Sequence, residues 1–359
     1  MTPHLYSLVS EYINPLFFGM PLLSFVLIAN ASLMAKGVMV KPMIVMAIGG
    51  LTNLIFDYLL IFGMGSIPAM GLFGAALATV LSWAVMLFMM LVLLSKENLL
   101  PSKQIPVPSK TALKEDLLSV FTLSTPAIAA QVLTPISVAV ITRLVSDHGE
   151  QAVAAYGIVT RIESLALTGI LALSVIVTPL VAQNYGAYRQ GNLSFLRLDN
   201  VIALSGRMTV YWGVICYLVL ALVGEHFIAL FTSNTDIIRI GYQYLLIVGL
   251  SFPAFGLVLI TASFFNGVQL PSLSLKLTLV KSLLLTLPLA AVGAYFSASW
   301  IWASLAVANV LGAVYAGKLL YRWLAEQETS LTEANASIMG DYLSDLKLLG
   351  RKLSRQKSV

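Results

Sequence analysis

The chain has 359 residues, of which 58% are hydrophobic and only 10% charged, with a formal net charge of +5. Soluble domains carry about 25% charged residues, so a water-soluble fold is excluded: too little polar surface exists to cover so much apolar material. The positive balance sits in short connections between apolar stretches, which fits anionic lipid headgroups and not nucleic acid.

A bilayer core is crossed by roughly 20 apolar residues. The expected spans are about nine, at 10–34, 40–63, 70–95, 117–145, 152–183, 200–223, 237–264, 274–296 and 299–322. The fifth is overlong and contains Pro179, where a kink or a surface continuation is expected. Basic residues alternate between connections: Lys36 and Lys41 in the first, Lys96, Lys103, Lys110 and Lys114 in the third, Arg189 and Arg197 in the fifth, Lys276 in the seventh. The intervening connections are neutral or acidic. The positive-inside rule then places the C-terminus in the cytoplasm and the N-terminus outside. No basic region precedes the first apolar stretch, as it would in a signal peptide.

The expected organisation is a partial first lobe of three helices at 1–95, a cytoplasmic linker at 96–116, a six-helix second lobe at 117–322 and a basic tail at 323–359. In the tail, Ile338, Tyr342, Leu346, Leu349 and Leu353 have helical spacing with basic residues between, as in a helix lying on the inner membrane surface. An internal repeat supports the lobes. Tyr12, Gly19 and Gly37 match Tyr242, Gly249 and Gly267 at one offset, with Pro42 and Pro271 just beyond the last pair. Duplicated helix bundles are a common transporter plan.

Chemistry-bearing motifs are few. Cys216 is single, and His4, His148 and His226 are scattered without metal-ligand spacing. There is no phosphate-binding Gly-rich loop, HExxH or GxSxG, which argues against an ATP-driven pump, a hydrolase or any other enzyme. Carboxylates in apolar stretches stand out instead, because each costs about 2.5–3.5 kcal/mol on insertion scales. Asp57 is the foremost, with Asn53 one helical turn earlier on the same face. Arg161 and Glu163, two residues apart, point to different faces. They read either as a second-lobe cation or substrate site, or as a structural ion-pair network with Arg143 or Arg207. Lys281 is expected to snorkel to the inner surface.

The run Gly49-Gly50-Leu51-Thr52-Asn53-Leu54-Ile55-Phe56-Asp57-Tyr58, continuing to Gly74-Ala75-Ala76-Leu77-Ala78-Thr79, resembles the multidrug and toxic compound extrusion (MATE) family. Ala154-Ala155-Tyr156-Gly157 through Arg161-Ile162-Glu163, ending in Gln183-Asn184-Tyr185-Gly186, is similar to the matching piece of the family's second lobe. The resemblance implies an all-α integral membrane fold: twelve helices in two facing lobes, with this sequence lacking the first three. It implies a secondary antiporter that exports small amphipathic or cationic drugs in exchange for protons or sodium ions, without another cofactor. If complete, it would work as a monomer in a bacterial plasma membrane. Positions matching Tyr12, Asn53, Asp57 and Thr79 form part of a first-lobe cation site in the family. Thr134 stands where sodium-coupled members carry a glutamate, which disfavours a second-lobe sodium site. The alternatives are a lipid-precursor flippase of the same superfamily, whose cavity would need basic residues for phosphate, and a truncated chain inactive in transport.

Overall fold

The computed structural model describes residues 3–64, 68–100, 109–190 and 196–326. The expected tail from 327 onward, and linker residues 101–108, lie outside them. The described residues are almost entirely helical. The chain divides into two compact units, Met1–Pro108 and Ser109–Val359. Eight helices are long and apolar enough to cross a membrane, and a bent pair makes a ninth candidate.

The first unit holds α1 (Pro3–Ala35), α2 (Val40–Phe62) and α3 (Gly71–Lys96). Both α1 and α2 pack on α3 and scarcely touch each other. Small residues set this approach, as is usual where no hydrophobic drive acts between membrane helices. Gly49 of α2 leaves room for the Met86 side chain of α3, and Gly74 of α3 lies against the Leu60 carbonyl of α2. Val26, Ala29, Leu33, Val45, Met86 and Met90 fill the seam. At one end Lys36 and Lys41 both reach Glu97, at 3.4 and 2.6 Å, which ties the α1–α2 connection to the end of α3.

The second unit begins with α4 (Lys110–Ser146). This helix starts at Lys110 and not at residue 117, because the Ser109 side chain caps it by accepting from the Ala112 N–H at 3.2 Å. Its first turns are polar, so a hydropathy window misses them.

The overlong fifth stretch is two helices, α5 (Glu150–Ala166) and α6 (Thr168–Arg189). They part at Leu167 and not at Pro179, which lies inside α6. Side chains of α7 (Leu196–Ala229) satisfy the break: Trp212 Nε1 and Cys216 Sγ both donate to the Ala166 carbonyl, at 2.9 and 3.1 Å. A chain break of this kind follows from where backbone hydrogen bonds go, which proline position alone does not reveal.

The seventh stretch is also bent. α8 (Thr235–Gly249) and α9 (Phe252–Gly267) meet at 56°. Pro253 opens α9, and the Ser251 hydroxyl donates to the Val248 carbonyl at 2.7 Å while accepting from Asn309 Nδ2 at 2.9 Å. Next come α10 (Pro271–Leu279), a π-helical turn (Val280–Thr286) and α11 (Leu287–Ala294). The last helix, α12 (Ala298–Glu326), carries Asn309. The packing of α1 and α2 on α3 recurs here as α8–α9 and α11 on α12. This is the arrangement that the paired Tyr, Gly and Pro positions anticipate.

Candidate functional site

In the first unit, α2 sets Asn53 and Asp57 one turn apart, both half-buried. Asn53 Nδ2 donates to Thr79 Oγ1 of α3 at 3.4 Å, and that hydroxyl donates in turn to the Ala75 carbonyl at 3.0 Å. Asp57 makes no hydrogen bond or ion pair with any described residue. Tyr12 is exposed and lines a shallow surface hollow with Leu8, Val9, Ile13 and Leu72. Of the four residues named for a first-lobe cation site, the structure therefore joins two directly, Asn53 and Thr79. Asp57 stands free one turn from that pair.

The second unit forms a partly open cavity of about 470 Å³, lined mainly by α4, α5, α8, α9, the π-helical turn and α12. Glu163 of α5 lines it, and Tyr244 of α8 donates to Glu163 Oε2 at 2.5 Å. Tyr244 stands edge-on to Trp302, 5.0 Å between ring centroids, and Tyr156 stacks on Trp302 at 5.6 Å. Trp302 is fully buried. This aromatic cluster fixes the tyrosine hydroxyl, and with it the carboxylate. Arg161 is exposed and does not join the cavity, so the two faces expected for the pair are realised. Arg143 is taken by Asp147 on its own helix end at 2.9 Å, which removes it from any network with Glu163.

Lys281 corrects an expectation. It does not run to the inner surface but lines the cavity, its ammonium 5.4 Å from the centre of the Phe255 ring. Lys281 sits in the π-helical turn. Thr286 Oγ1 donates to the Lys281 carbonyl, five residues back, at 2.7 Å, and the wider turn resets which side chains face inward. Such turns recur at functional positions. Thr134, Gln131 and Asn309 add polar groups to the wall. Sequence reasoning singled out Glu163 and Thr134 but missed Tyr244, Gln131 and Asn309. Their only signal is polarity inside an apolar stretch.

The fold and sites define a multi-spanning, all-α membrane protein with polar groups held inside its helical units. The MatE family model matches residues 126–292. Over 80% of this chain, the sequence is 31% identical to a protein of Shewanella oneidensis named FAD transporter. It is 28% identical over 68% of the chain to the probable multidrug resistance protein NorM of Thermotoga maritima. The chain spans 62% and 51% of the lengths of these two relatives. A crystal structure of a point mutant of the Vibrio cholerae MATE transporter VcmN superimposes with a TM-score of 0.83, at 20% identity, over 92% of this chain and 72% of that one. The family-model match over this segment and the overall fold are those of MATE transporters.

Proposed function

We propose that the protein is a secondary antiporter of the plasma membrane, exporting small amphipathic or drug-like compounds in exchange for inward protons or sodium ions. One observation carries the coupling: a carboxylate, Asp57, held without a partner among the described residues in an apolar helix, one turn from the Asn53–Thr79 hydrogen bond. An intramembrane carboxylate is costly and marks an ion pathway or proton relay by default. Asp57 takes up the coupling ion, with Asn53, Thr79 and Tyr12 offering oxygen ligands or hydrogen bonds as it loads. Glu163, with Arg161 on the opposite face of α5, is a second-unit candidate. The multidrug resistance name of the Thermotoga relative supports the cargo class. The protein acts as a monomer in the bilayer, with its C-terminus in the cytoplasm.

A second reading has a specific observation behind it. The Shewanella relative's name specifies FAD as cargo, and Lys281 gives the second-unit cavity a cation that sequence reasoning had placed elsewhere.

The test is dye or drug efflux from inverted vesicles or cells under an imposed proton or sodium gradient, comparing the chain with Asp57→Asn. Efflux that follows one gradient and disappears in the variant is the expected result. Equal efflux from both proteins removes Asp57 from the coupling. No efflux from either overturns transport by this chain unaided.

A further inference from the structure

The second-unit cavity holds two ionisable groups of opposite sign in different circumstances. Glu163 is satisfied: Tyr244 donates to it at 2.5 Å. Lys281 is not. Its ammonium lies over the face of Phe255 and feels the Glu163 charge across the cavity, but it has no hydrogen-bond acceptor and no ion pair within bonding distance among the described residues. An ammonium carries three donors, and withdrawing it from water without an acceptor is costly. A ring face offsets part of that cost and supplies no lone pair.

The position is also built. The side chain leaves the π-helical turn into the cavity, and Gly312 of α12 makes room for its stem: a Cβ there would sit 3.0 Å from Lys281 Cγ. Beyond the ammonium the wall is mainly apolar, with Ile141, Val248 and Leu259. The volume falls within the roughly 300–1,000 Å³ of small-molecule pockets.

From these observations we infer that the second-unit cavity is a binding site for amphipathic anions. In it Lys281 receives a phosphate or carboxylate, and the apolar wall receives an aromatic or aliphatic body. Each charge in the cavity repels one sign of cargo, and the hydrogen bonding decides between them: Glu163 already has a donor in Tyr244, while an anion supplies the acceptor the Lys281 ammonium lacks. The inference deepens the transporter reading by naming a cargo class and a selecting residue.

The experiment measures equilibrium binding of flavin mononucleotide and of riboflavin to the purified full chain, by quenching of flavin fluorescence. The two share a ring system and differ by the phosphate. Wild-type protein is expected to prefer the phosphorylated flavin by roughly tenfold, the scale of one charge-assisted hydrogen bond. Lys281→Met is expected to abolish the preference and leave riboflavin binding unchanged, while Lys281→Arg keeps most of it. Size-exclusion profiles and melting curves identify a variant that has failed to fold, and Lys281→Arg then decides. No preference in the wild type, no binding of either flavin to folded protein, or full preference in folded Lys281→Met would each overturn the inference. Nanodiscs with and without phosphatidylglycerol separate two sources of the anion. Weaker flavin binding with the anionic lipid makes a headgroup the occupant, and unchanged binding makes it a soluble anion; both support an anion site. Binding is read without a gradient, so failed efflux with intact phosphate preference would count against the transport reading alone.

Discussion

Tyr244 and Glu163 come from helices α8 and α5, far apart in sequence, yet the tyrosine hydroxyl donates to the carboxylate at 2.5 Å. The bond stands at the edge of a cavity and is backed by the buried Trp302 ring. The phenol is therefore held from behind while the carboxylate faces the space it helps to line.

Removing that hydroxyl is the most direct test of the arrangement. Tyr244→Phe keeps the ring packing and deletes only the donor. Hydrogen bonds between membrane helices are worth roughly 0.6–2 kcal/mol. A loss of this size is expected in the thermal or denaturant unfolding of the detergent-solubilised protein. In a double-mutant cycle, Glu163→Gln and Tyr244→Phe should be non-additive. Additive losses would mean the two side chains do not act together.

A second prediction concerns the first unit. Thr79→Val removes the acceptor of Asn53 and keeps the shape. If Asp57 carries the ion and Asn53–Thr79 orients the site, Thr79→Val should reduce gradient-driven efflux several-fold on the scale of one hydrogen bond, roughly 1 kcal/mol. Asp57→Asn should abolish it. Efflux in Thr79→Val indistinguishable from wild type would detach the hydroxyl from the site.

The units differ in how far they were legible in the sequence. The bounds of α2 and α3 fall within a residue or so of the apolar stretches. Both are uninterrupted and end at Gly, Pro or charged residues. Asn53 and Asp57 share a face because the helix is regular. Hydropathy cannot see the places where backbone hydrogen bonds are diverted: to Trp212 and Cys216 at the α5–α6 break, to Ser251 at the α8–α9 bend, and to Thr286 in the π-helical turn. Each is made by a side chain that a regular apolar helix could equally carry. Lys281 departs from the snorkelling expectation within that same π-helical turn.

Glu97 makes a pH prediction. The Lys41 ammonium, and Lys36 beside it, hold its carboxyl below the ordinary carboxylate range. A carboxyl with a lowered folded-state pKa contributes stability above its unfolded pKa, and loses that contribution as pH falls through the folded value. Wild type should therefore exceed Glu97→Gln in melting temperature at neutral pH. The difference should shrink as the pH falls below the ordinary carboxylate range. A difference that stays constant on acidification would assign the effect to packing and not to charge.

The last prediction separates two glycines of the first unit. A Cβ on Gly74 would run into the Leu60 carbonyl, and backbone cannot move aside as a flexible side chain can. A Cβ on Gly50 meets nothing within 4 Å. Gly74→Ala should therefore force α2 and α3 apart and cost about 1–3 kcal/mol, the usual range for overpacking. Gly50→Ala should be neutral or slightly stabilising, since alanine restricts the unfolded chain and favours the helix. Melting curves and protease resistance of the two purified variants read the contrast. Because the seam filled by Met86 and Met90 lies on the same α3, splaying the helices should also loosen the Asn53–Thr79 hydrogen bond, so Gly74→Ala should lose efflux as well as stability. A Gly74→Ala protein as stable and active as Gly50→Ala would show that the α2–α3 crossing is not set by backbone contact at this glycine.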